Sequence, residues 1–148
     1  MGTMQRTILV VDDDADFQAS VAVVLEAQGY RVIGAATAKQ ALAKIAAERP
    51  DLVVLDIMME NDSAGYEVNQ AIKFREDFQL SRDVPILMVS SIGLDPATRF
   101  YRAAEVDMVT PDYYMTKPLD IEVFVEQVKR LLESHRKHGS DREQFAGL

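Results

Sequence analysis

Four short runs, "TILVV" (7–11), "DLVVLD" (51–56), "VPILMVS" (84–90) and "DYYMTK" (112–117), each end on or run into polar residues able to do chemistry: Asp12-Asp13-Asp14, Asp56, Ser90-Ser91 and Lys117-Pro118. Carboxylates, a hydroxyl and an ammonium are the parts of a site for a cation and a phosphoryl group. An Asp carboxylate can attack phosphorus and hold a covalent acyl phosphate, while a metal ion and a lysine offset charge on the transferring group. Asp12, Asp13 and Asp56 on one rim would repel one another unless a cation neutralised them or their protonation changed. Oxygen ligands with no Cys or His nearby suit Mg2+, which keeps several waters and takes one or two carboxylates plus phosphate oxygens. Asp14 fits the N-cap of a following helix opened by Ala15. Each group alone has an ordinary explanation, a solvated cap, a turn residue or a surface cation. Their occurrence in order at four run ends is what points to a site.

Those ends need elements to bring them together. The four runs and "YRVIGAA" (30–36) read as strands, and helix-length patterns lie between them. One has Phe17, Val21, Val24 and Leu25 on a single face; the last has Ile121, Phe124, Val128, Leu131 and Leu132. Gly29 suits a left-handed cap, Pro50 cannot continue a helix, and Asp95-Pro96 supplies an N-cap followed by a first-turn proline. Five β/α repeats result. Strands separated by helices pair in parallel, and the unbroken Val/Ile/Leu runs are those of a sheet covered on both faces. The predicted fold is a doubly wound α/β sheet of five parallel strands and five helices. Its ligand site is expected at the carboxyl ends of the strands, where strand order reverses.

Composition narrows the function. The chain has 148 residues, 48% of them apolar, enough for one domain with a core. A formal charge of −8 disfavours nucleic acid as a partner, because phosphate-backbone affinity comes from clustered Lys and Arg. With no cysteine, disulfides, thiolate metal sites and a Cys nucleophile are excluded, and a cytoplasmic location is expected. The N-terminal apolar run is too short for a signal peptide or a membrane span. After Leu132 the sequence turns polar, and 134–148 are expected to form a frayed helix end and tail, with His135 and His138 solvated and no output domain following. Met58-Met59 are expected to fill core and rim rather than to ligate through sulfur.

In order along the chain, "ILVVDDD", "PDLVVLDIMM", "VPILMVSS" and "YMTKP" resemble the receiver domain of two-component response regulators, over roughly residues 6–133. The resemblance implies a CheY-like, flavodoxin-like sheet of order 2-1-3-4-5, with Asp56 as phosphoacceptor. It also implies Asp12 and Asp13 as the acidic Mg2+ pair, with Asp56 and the backbone carbonyl of Met58 completing the protein ligands. Ser90 becomes the switch hydroxyl, Tyr114 the switch aromatic and Lys117 the conserved cation before a cis proline. Expected partners are a histidine kinase or histidine phosphotransfer protein as donor and a downstream protein on the face of the fourth helix, fifth strand and fifth helix. The chain is expected to be a stand-alone receiver, a monomer or weak homodimer, and no conventional enzyme.

Two departures from the family pattern stand out. The loop "MENDSAG" after Asp56 lacks the usual proline and carries an extra residue, and the stretch from Ser90 to Lys117 is longer than usual. Met58 and Ile92 are apolar where fast-hydrolysing members place a water-orienting group, which predicts a long-lived phosphorylated form. The alternative is a Mg2+-dependent phosphatase of the haloacid dehalogenase type, whose Asp-x-Asp pattern Asp12 and Asp14 satisfy, although "ADFQ" after it lacks the expected Thr. A degenerate receiver is disfavoured by the complete acid set, and a flavodoxin by the missing phosphate loop after the first strand.

Overall fold

A computed structural model describes residues 5–56, 64–75, 83–90 and 113–146. In chain order the elements are β1 (Thr7–Val11), α1 (Ala15–Ala27), β2 (Arg31–Ala35), α2 (Ala38–Glu48), β3 (Leu52–Asp56), α3 (Ala64–Phe74), β4 (Ile86–Ser90), β5 (Tyr113–Thr116) and α4 (Ile121–Ala146). All pairings are parallel and the sheet order is β2-β1-β3-β4-β5. The helices α1, α2 and α3 between the first four strands provide the crossovers that parallel pairing requires, since parallel strands cannot be joined by a hairpin. Central β1 and β3 are buried along their whole length, as their unbroken apolar runs require, whereas the edge strands β2 and β5 are only partly covered.

Strand alternation sends neighbouring side chains into two cores. On one face Leu9, Val11, Val53, Leu55, Ile86 and Met88 meet Ala41 and Ile45 of α2 and Val68 and Ile72 of α3. On the other, Ile8, Val10, Leu52, Val54, Leu87 and Val89 meet Val21 and Leu25 of α1 and Phe124, Val128 and Leu132 of α4. β1 and β3 are parallel neighbours at the point where strand order reverses, so their carboxyl ends lie side by side and the polar residues after them share one edge.

Local chemistry sets the element ends. Asp14 caps α1, its carboxylate accepting from the amides of Asp16 and Phe17, and Thr37 caps α2 by accepting from the Gln40 amide. Gly29 holds φ at +93°, a conformation that side chains resist. α2 stops at Glu48, with Arg49 left-handed at φ 46° just ahead of buried Pro50. The Lys117-Pro118 peptide is cis.

Two expectations need correction. Ile121 is not part of the buried face of α4: it is 45% exposed, being the first residue of the helix and lining an open groove with Val23 and Val24 of α1. Where a tail was expected from 134, α4 instead runs on as helix to Ala146, with no proline to interrupt 121–146. The helix predicted from Asp95-Pro96 lies outside the described residues. Among the described residues, no helix is long and apolar enough to cross a membrane.

Candidate functional site

The site begins where β1 leaves the sheet. The Asp12 amide still donates to the Ala35 carbonyl at 3.0 Å, as a ladder residue would. Its side chain then turns the backbone: Oδ1 accepts from the Asp14 amide at 2.8 Å, an Asx-type turn that leads into the α1 cap. This turn lets two consecutive acids face one place. Asp12, Asp13 and Asp56 each offer an oxygen within 4.8 Å of the others, Asp12 and Asp56 being buried and Asp13 exposed. Asp14 is not among them, since its carboxylate is taken by the helix cap. That removes the second acid of the Asp-x-Asp pair on which the phosphatase alternative rested.

Lys117 reaches across from the end of β5. Its Nζ donates to Asp12 Oδ2 at 2.8 Å and lies 3.9 Å from Asp56 Oδ2. It also sits 4.2 Å from the centroid of the Phe17 ring, close enough for a cation–π contact. Periodicity had assigned Phe17 to the core face of α1 and gave no sign of this second role. The ammonium is thus fixed between an aromatic ring and two buried carboxylates, with only a quarter of its side chain exposed.

Among the described residues, Lys117 is paired with Asp12 and Asp56 in a cluster that also holds Asp13, and three carboxylates to one ammonium favour a further cation. The donor set fits Mg2+: it is oxygen-only, and oxygens on opposite sides of an octahedral Mg2+ stand about 4 Å apart. Among three oxygens on one such ion at least two pairs are adjacent, about 3 Å apart, so a cluster within 4.8 Å draws together by up to about 2 Å to share it.

The remaining predicted residues are placed to different degrees. Ser90 ends β4 in register with Thr116, one step beyond the Asp56–Val89 pairing, so its backbone stands at the same edge as the acids. Tyr114 pairs with Met88 and packs against the core that faces α2 and α3, while neighbouring Tyr113 is 38% exposed. Tyr114, not Tyr113, is the inward ring. Met58, Ser91, Ile92 and most of the "MENDSAG" loop lie outside the described residues.

Residues 8–129 match the family model described as the response regulator receiver domain. Among curated relatives, the phosphate regulon transcriptional regulatory protein PhoB of Pseudomonas aeruginosa is 35% identical over 127 residues, covering 86% of this chain and 52% of PhoB. The nitrogen assimilation regulatory protein NtrX of Azorhizobium caulinodans is 33% identical over 142 residues, 95% of this chain and 29% of NtrX. The chain thus spans about half or less of the length of these relatives. Among solved structures, a CheY-like receiver domain protein from Methanospirillum hungatei superposes with a TM-score of 0.75 at 29% identity, covering 91% of this chain and 99% of that one.

Proposed function

The chain belongs to the response regulator receiver domain family, the signalling domain of two-component systems, and from that premise we propose that Asp56 is its phosphoacceptor. The observation that carries this is the acid cluster with Lys117 set between Asp12 and Asp56 at the carboxyl edge of the sheet. Asp12, Asp13 and Asp56 would hold Mg2+, with the Met58 carbonyl as a further ligand by family resemblance. Bound there, the ion would supply charge compensation for a phosphoryl group in transit.

The residues of the chain have distinct tasks in the transfer. An Asp56 carboxylate oxygen attacks phosphorus of a phosphohistidine on a histidine kinase or phosphotransfer protein. The O–P bond forms as the donor N–P bond breaks, and the released imidazole nitrogen takes a proton. Lys117 Nζ, held by Asp12 and the Phe17 ring, pairs with a phosphoryl oxygen as negative charge shifts onto it. The Ser90 hydroxyl donates to another oxygen of the acyl phosphate, drawing the end of β4 inward. Tyr114, on the neighbouring strand, responds to that displacement and alters the surface that a downstream protein reads. What the receiver then controls belongs to that partner, or to whatever the chain is joined to. The cysteine-free composition is in keeping with a cytoplasmic setting.

Incubation with Mg2+ and a small acyl phosphate, followed by intact mass, tests the proposal. Wild-type protein should gain one phosphoryl group and Asp56→Asn none. Sustained turnover of phosphate esters that requires Asp12 would favour the phosphatase chemistry instead.

A further inference from the structure

The acid pair poses a geometric problem that β1 alone does not solve. Successive residues of a strand point to opposite faces, yet Asp12 and Asp13 both supply oxygens to one cluster. Something must hold the backbone in its departure from the strand. We infer that Gln18, near the start of α1, is the positioning residue that does so. The inference rests on the proposal that Asp12 and Asp13 bind Mg2+.

Gln18 Nε2 donates to the backbone carbonyl of Asp12 at 2.5 Å and to that of Ala35 at 2.7 Å. Both partners are acceptors, so the amide nitrogen must face them, and its two hydrogens serve one carbonyl each. The Asp12 carbonyl belongs to the planar peptide group that carries both the Asp12 and Asp13 Cα atoms. Fixing that oxygen therefore fixes the plane from which the two carboxylates diverge. The Ala35 carbonyl also accepts from the Asp12 amide at 3.0 Å, so one oxygen of β2 anchors both sides of Asp12. The Gln18 backbone N–H donates to the Asp14 carbonyl as the first helical bond of α1, which anchors the residue carrying the bridge to the same turn.

Gly34 makes room for this bridge. A Cβ at Gly34 would run into Gln18 Oε1, the end of a flexible side chain. The fold can accept that methyl group, but only by displacing the carboxamide. Glycine on β2 and glutamine on α1 are thus two halves of one device that aims the metal-binding acids from behind.

Mg2+ dissociation constants of the full chain, measured by titration calorimetry, test this, with thermal unfolding in metal-free buffer recorded separately. Gln18→Met keeps length and bulk and removes the donor. It should weaken Mg2+ binding about tenfold, the low end of the effect of removing a group that supports a metal ligand, because it acts through the backbone. Gly34→Ala should weaken binding in the same direction, and the double variant should bind no more weakly than Gln18→Met, since both changes act on one carboxamide. A Gln18→Met protein that melts at a lower temperature but binds Mg2+ as tightly as wild type would overturn the inference. If Gln18→Met does not fold, undiminished affinity in Gly34→Ala would overturn it equally. Wild-type protein that takes up no Mg2+ would overturn the acid site itself, an outcome distinct from loss of the Gln18 role alone.

Discussion

Lys117 stands between two carboxylates that water scarcely reaches, the Asp12 side chain being fully buried and that of Asp56 7% exposed. Burial decides how much such a contact matters. The Arg31–Glu48 pair, at 3.1 Å with both partners over a third exposed, is worth about 0–1 kcal/mol. Breaking a buried pair leaves an uncompensated charge and costs about 3–5 kcal/mol; because Lys117 keeps a quarter of its side chain in solvent, about 2 kcal/mol is the better expectation here. Lys117→Met should therefore lower metal-free stability by about that amount. Denaturant titration with saturating Mg2+ should recover most of the loss, since the ion takes over charge compensation at the same carboxylates. A loss unaffected by Mg2+ would mean that Lys117 acts by packing on Phe17.

At the scale of elements, the strands and the α1 cap were legible because their signals are local. Unbroken β-branched-rich runs too short for a helix and bounded by polar residues read as strands covered on both faces, and an acid ahead of an amphipathic stretch has an orphan amide to cap. Phe17 and Gln18 were not legible in their site roles. Helical periodicity says which face a residue occupies, not that its ring supports a lysine 100 positions away or that its amide bridges two strand ends. The length of α4 was missed for the opposite reason, since a polar helix end has no apolar stripe to announce it. Two positive-φ residues give a direct check on the element ends. An added Cβ at Gly29 meets nothing within 4 Å, so Gly29→Ala should cost about 1–2 kcal/mol from backbone conformation alone. Arg49 carries that strain already, and Arg49→Gly should stabilise by up to about 1 kcal/mol. Urea unfolding of both variants should move the midpoint in opposite directions.

For the molecule as a whole, the sheet order does the organising. It sets β1 and β3 side by side between two apolar cores, so their final carboxylates share a partly dry edge, and brings Lys117 to them from β5 on the outside of the sheet. Concentrating acids there couples metal binding to folding. An ion that binds only the folded chain stabilises it by about 2.7 kcal/mol at a concentration 100 times its dissociation constant. Asp12→Asn and Asp13→Asn should each lose most of that Mg2+-dependent gain in unfolding temperature, whereas a substitution at the opposite, amino edge of the sheet, such as Arg31→Ala at the start of β2, should retain it.

The central claim is that this edge selects Asp56, rather than its neighbours Asp12 and Asp13, to carry the phosphoryl group. The most direct measurement is proteolysis of the phosphorylated chain after borohydride reduction of the acyl phosphate, with peptide sequencing by mass spectrometry. Reduction confined to position 56, and dependent on Mg2+ during phosphorylation, is the predicted result. A modified Asp12 or Asp13, or modification at Asp56 equally efficient without a divalent ion, would contradict the account.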